Sequence, residues 1–210
     1  MNIKSFVLGN FQTNSYVLTA DADAKTCLII DTGLQSSELV NYLKDNELIP
    51  EAVILTHGHA DHIAGVAELR REYPDIKVAI HKNDAEMLTN PAMNLSALAG
   101  TAFSTEPADI IIDDQNTISF AGIEFEIFRT PGHTPGGISL YNAADGVVFS
   151  GDTLFEGSIG RSDFPGGSQN QLITSIKQKL LTLPDKTKVY SGHGYLTTIE
   201  VEKRSNPFLT

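Results

Sequence analysis

Residues 52–62 read AVILTHGHADH, an apolar run, Ala52–Leu55, that breaks into the cluster His57-x-His59-x-Asp61-His62. Bounded as it is, the run reads as a buried strand. The cluster beyond it does not fit a single helix. Residues two apart on a helix point about 200° away from each other, whereas an extended segment turns both to the same side. His57 and His59 therefore belong to the loop at the strand end. Asp61 and His62 open the helix beyond it, where a carboxylate also suits the positive end of the helix dipole. The spacing differs from H-E-x-x-H, in which two imidazoles four apart share one helix face.

The same arrangement recurs along the chain. Asp31 follows CLII, His133 stands in TPGH after FEIFR, Asp152 in GD after VVFS, and His193 in GHG after KVYS. Polar ligand-type residues at strand ends gather at one rim of an α/β sheet. Five of the six histidines lie at such positions. A single His before a strand turn is more often a capping residue than a ligand, and His193 alone would be read that way. The density of H-x-H-x-D-H, with four motifs in register each at a strand end, overrules that reading.

Together His57, His59, Asp61, His62, His133, Asp152 and His193 exceed what one tetrahedral zinc uses, while two metals bridged by one carboxylate use them all. Imidazole and carboxylate without thiolate suit zinc, iron or manganese. Two divalent ions, zinc first, are the expected cofactors. Asp31 is expected either to orient His57 or His59 from behind or to be a turn residue. His81 is read as structural, Cys27 as a buried small hydrophobe, and Asp109, Asp113 and Asp114 as a solvated loop.

Composition bounds the rest. The chain has 210 residues, 26 acidic against 15 basic, for a formal charge of −11. That balance repels phosphate backbones, so nucleic acid is not an expected partner. One cysteine excludes an intramolecular disulfide and a multi-cysteine zinc site. The longest apolar runs are four residues, far short of the ~18–20 that cross a bilayer, and the N-terminus carries no secretory segment. A cytoplasmic protein without membrane partners is expected. With 41% hydrophobic residues, 1–210 reads as one α/β domain of two packed sheets with helices outside. Helices are expected over about 36–46, 62–73, 83–89 and 169–183, and 90–114 as a long connection between halves.

THGHADH, TPGH, SGD and SGHG, in this order and spacing, resemble the metallo-β-lactamase superfamily over nearly the whole chain. The resemblance implies a four-layer αββα sandwich with metals on one rim. His57, His59, His133 and a bridging Asp152 would hold one metal, and Asp61, His62, Asp152 and His193 the other. DTLFEGSIGRSDFPGGS (152–168), GHGY (192–195) and the ending NPFLT resemble short relatives of hydroxyacylglutathione hydrolase, or glyoxalase II. That implies hydrolysis of a thioester such as S-lactoylglutathione by a metal-bridging hydroxide, with Asp61 catalytic and with glutathione contacts at Arg161 and Tyr195. Asp163 stands where that family has a second tyrosine, and the family's C-terminal helical region is not expected here. GRSDF (160–164) also resembles persulfide dioxygenases, which implies one iron at His57, His133 and Asp152. Hydrolysis of another small ester or a lactone is the remaining alternative.

Overall fold

The apolar runs are strands buried on both faces, which is why they lack polar alternation. The computed structural model describes residues 1–113 and 115–210. Asp114, grouped above with Asp109 and Asp113, lies outside the described residues. The first half contributes β1 (Asn2–Leu8), β2 (Thr13–Thr19), β3 (Thr26–Ile30), α1 (Ser37–Asp45), β4 (Ile49–Ile54), α2 (Ala60–Ile63), α3 (Val66–Glu72), β5 (Lys77–His81) and β6 (Ile110–Ile112). The second contributes β7 (Thr117–Phe120), β8 (Ile123–Arg129), β9 (Ile138–Asn142), β10 (Val147–Gly151), a small hairpin of β11 (Leu154–Phe155) and β12 (Ser158–Ile159), α4 (Gln169–Ser175), β13 (Lys188–Ser191), β14 (Thr197–Thr198) and α5 (Ile199–Ser205).

Two six-stranded sheets result, ordered β1-β2-β3-β4-β5-β6 and β14-β13-β10-β9-β8-β7. Strands β3 to β6 run parallel, and β10 runs parallel to β13. Successive side chains on a strand face opposite ways, and three apolar layers result. Cys27, Ile29 and Val53 pack outward with Leu39, Leu43 and Leu69 of the first helices. Leu28, Ile30 and Ile54 pack inward against Phe125, Leu140 and Phe149 of the second sheet. Val148 and Val189 pack on that sheet's far side with Leu172, Ile176 and Ile199. Helix, sheet, sheet, helix is the αββα order, and Cys27 is fully buried in it.

Departures from the expected elements have local causes. The connection 90–114 contains β6, which pairs with β5 through Ile80 and Ile111 and is only three residues long. One helix over 62–73 is two, because the His62 carbonyl accepts from the Thr32 N–H (2.8 Å) and Thr32 Oγ1–H (3.0 Å), and the helical ladder breaks at Gly65. The helix from Gln169 widens into a π turn over Ile176–Leu180. Leu172, Ile176 and Leu180 are spaced by four, wider than the α-helical repeat of about 3.6 residues, and the wider turn keeps Leu180 on the buried face. Residues 83–89 form only a short 3-10 turn, Ala85–Leu88. No helix among the described residues is long and apolar enough to cross a membrane.

Candidate metal centre

The sheet directions bring every polar strand end to one rim. Asp31 follows β3; His57 to His62 follow β4; His133, Asp152 and His193 follow β8, β10 and β13. Asp31 takes a left-handed backbone (φ 54°), a conformation unfavourable for a non-glycine residue and typical of functional sites. Its carboxylate accepts from Thr56 N–H and Thr56 Oγ1–H, both at 2.7 Å, and from His62 Nδ1–H at 2.9 Å. Asp31 is thus an orienting residue, but its partner is His62 rather than His57 or His59.

Each remaining ring but one is anchored in the same manner. His57 Nδ1–H donates to Thr56 Oγ1 (3.2 Å), His133 Nδ1–H to the Arg161 carbonyl (2.6 Å), and His193 Nδ1–H to the Gln12 carbonyl (3.3 Å). Fixing one imidazole nitrogen as donor turns the other towards the centre, where it can ligate a cation once it carries no proton. Those second nitrogens converge. His133 Nε2 lies 2.8 Å from His59 Nδ1 and 3.5 Å from Asp152 Oδ2. His62 Nε2 lies 3.3 Å from both His193 Nε2 and Asp152 Oδ1, and His193 Nε2 lies 3.2 Å from Asp61 Oδ2. Buried His57 Nε2 has no hydrogen-bond partner among the described residues.

Three donor groups have ligand atoms within 4.8 Å of one another: His57, His59 and His133; His57, His62 and Asp152; and Asp61, His62 and His193. A bare buried nitrogen among other bare nitrogens and carboxylates is costly unless something electropositive sits among them. The donors present therefore fit a pair of divalent cations, with Asp152 facing both sets. Close packing holds that carboxylate: a β-carbon on Gly192 would come within 2.2 Å of Asp152 Oδ1.

Electrostatics divide the cluster. Burial, with neighbouring imidazoles, pushes His57 well below the ordinary histidine pKa and His59 down to about 3. Burial also opposes charge on His62, yet Asp152, Asp31 and Asp61 outweigh it and raise His62 well above the ordinary value. Against the same burial penalty, hydrogen bonds to Asp152 and Asp61 lift His193 to about 10. Burial works against ionised Asp61, but His62 and His193 hold it at about 2.

A cleft of about 630 Å³ opens onto His59, Asp61, His133, Asp152 and His193, with Arg161 on its wall. Tyr195 is 80% exposed and not among the residues that wall it. His81 is buried at the end of β5 and belongs to none of the three donor groups found among the described residues.

Asp84 carries no motif that marks it in the sequence. It accepts from Gly58 N–H (3.2 Å), Thr134 Oγ1–H (2.6 Å) and Gly136 N–H (2.6 Å), joining the His57–His59 loop to the His133 loop. Its position just past β5 is the one available signal, the same strand-end placement that singles out the ligands.

Residues 8–193 match the model of the metallo-beta-lactamase superfamily. A probable metallo-hydrolase of Bacillus subtilis, YqgX, is 40% identical over 210 residues, covering 100% of this chain and 98% of that protein. The hydroxyacylglutathione hydrolase GloC of Haemophilus influenzae is 36% identical, again covering 100% and 98%. Among solved structures, the B3 metallo-beta-lactamase BLEG-1 superposes with a TM-score of 0.95 at 43% identity, covering both chains fully. A di-iron-bound protein, TTHA1623, gives 0.84 at 36% identity, covering 98% of this chain and 100% of its own. With a rim of histidines and carboxylates between two sheets and a family match over most of its length, the chain belongs to the metallo-beta-lactamase superfamily.

Proposed function

We propose that this metal-dependent hydrolase cleaves thioesters, S-lactoylglutathione being the first candidate. The observation that carries the proposal is the convergence of five anchored or buried imidazoles with Asp61 and Asp152 beneath an open cleft. His57, His59, His133 and Asp152 would hold one divalent ion, and Asp61, His62, His193 and Asp152 the other, zinc ahead of iron or manganese. When bound, such ions would lower the pKa of a coordinated water to about 7 and polarise a carbonyl oxygen.

The chain's own groups do the remainder. Asp61 accepts from Thr13 Oγ1–H (3.3 Å), and this fixes a carboxylate oxygen at the cleft floor, where it orients the attacking water. A free thiol has a pKa of about 8.5, so it departs as its anion and no side chain has to protonate it. Arg161 on the wall and Tyr195 on the His193 loop are the proposed contacts for the thiol carrier. The activity for which GloC is named supports this choice of substrate. The substrate is a small molecule in the cytoplasm, with neither nucleic acid nor membrane as partner.

The test is metal analysis combined with three assays on one preparation: S-lactoylglutathione hydrolysis, oxygen uptake with glutathione persulfide, and β-lactam hydrolysis. Two metals per chain and thioester turnover are expected. One iron per chain with oxygen uptake would instead make it a dioxygenase, and β-lactam turnover exceeding that of the thioester would move the reaction to amides.

A further inference from the structure

Apolar surface begins at both ends of the donor cluster. The Phe164 ring lies 5.7 Å from that of His59, and the Phe155 ring 6.2 Å from that of His193. The loop 94–103 adds Leu95, Leu98 and Phe103 to the cleft, and Leu34 and Phe11 extend the same surface. Leu98 and Phe11 are 77% and 55% exposed, apolar area that a ligand in the cleft would cover. The volume, about 630 Å³, is that of a pocket for a small organic ligand, roughly 300–1,000 Å³.

Two polar side chains of the 94–103 loop, Asn94 and Ser96, are turned to the protein. Asn94 Nδ2–H donates to the Met87 and Phe103 carbonyls, and Ser96 Oγ exchanges hydrogen bonds with the Phe103 backbone. Arg161 supplies the one Lys or Arg among the described lining residues. Its Nε–H and Nη2–H donate to the two oxygens of Asp163 at 2.8 and 2.7 Å, and its guanidinium lies 3.9 Å over the Phe164 ring. In the free protein this exposed pair occupies Nε–H and one Nη2–H, so an incoming carboxylate competes with Asp163 or takes the donors that remain.

We propose that this cleft chooses among substrates by an apolar acyl group packed on the 94–103 loop, with Arg161, paired to Asp163 in the free protein, adding little to that choice. The proposal rests on the hydrolase reading above and, within it, ranks thioesters of apolar carboxylic acids ahead of the lactoyl thioester.

Calorimetric titration of the metal-loaded protein with S-octylglutathione and S-methylglutathione tests this, because only the apolar part differs. If half the added methylenes are buried, the octyl compound binds about 100-fold tighter; a difference within about threefold overturns the proposal. Leu98→Ser, at an exposed position that leaves the core intact, should cut the octyl preference about tenfold and leave methyl affinity unchanged. Asp163→Asn should tighten both compounds several-fold by freeing Arg161. If Asp163→Asn changes nothing while Arg161→Ala weakens both, Arg161 already holds the carrier and that half is wrong. Hydrolysis of octanoylglutathione and lactoylglutathione separates the two readings. Octyl preference without turnover of either thioester sustains the apolar subsite and sinks the hydrolysis reading, and with it the substrate class; equal turnover with equal affinities sinks this inference alone.

Discussion

The two corners of the donor cluster meet across Asp152 and are built on opposite electrostatics. His57, His59 and His133 form a corner of nitrogens, in which burial and mutual repulsion keep His57 and His59 neutral. Asp61, His62 and His193 form a corner in which carboxylates draw protons onto both imidazoles. A cation entering the first meets lone pairs already bare, whereas in the second it must displace protons. One cluster thus contains a corner preorganised for metal and a corner where metal and proton compete.

Replacing one ligand from each corner tests this division most severely. His59→Ala should abolish the first ion and lower turnover at least ~10³-fold with the fold retained, since a Lewis-acid ion contributes several kcal/mol to the transition state. His193→Ala should lose one ion and about 10–100-fold in turnover, the scale on which weakened metal ligation is felt. Metal content by mass spectrometry and circular dichroism check both; loss of both ions in either variant would mean the corners are not separate sites.

Asp31→Asn acts first on the carboxylate corner, because Asp31 contacts His62 directly and reaches His57 only through Thr56. Affinity for the second ion should fall roughly 10–100-fold, the usual cost of removing a partner that orients a ligand. Competition against a chromophoric chelator measures it, and an equal loss at the first ion would erase the distinction.

Metal-free protein should show the two corners as opposite limbs of a stability profile. His193 is raised from 6.5 to about 10, so its contribution is complete below the unfolded value and is lost as pH rises through about 10. His59 is depressed from 6.5 to about 3, so its contribution is present above 6.5 and is lost as pH falls through that interval. Thermal melts across the range between those two limbs should give a maximum near neutrality, flattened on the alkaline side once metal is loaded. An alkaline limb identical with and without metal would contradict the assignment.

Asp84, behind the nitrogen corner, should give the mildest response. Asp84→Asn turns an amide N–H₂ towards one of three donors and should cost about 1–3 kcal/mol of stability by urea unfolding. First-ion affinity should fall modestly and second-ion affinity should not change.

Much of this is legible in the sequence because strands buried on both faces print as unbroken apolar runs, and because parallel strands carry their polar ends to one rim. Partnerships are not legible. That Asp31 serves His62 depends on Thr32 capturing the His62 carbonyl and bending the chain between α2 and α3. Strand β6 has only three residues, and β11, β12 and β14 two each, too few for any periodicity. Asp84 looks like an ordinary acidic residue of a short helix, since nothing local reveals that its three donors come from residues 26 to 52 positions away.

Both corners draw ligands from both halves of the chain, His133, Asp152 and His193 from the second sheet and the others from the first. Neither half alone has a complete set. Metal capture therefore reports docking of the two sheets rather than folding of either, and the ions act as late clasps on an already assembled sandwich. A chain nicked between α3 and β7 would regain tight metal binding only on mixing of the fragments, which turns the centre into a built-in gauge of complementation.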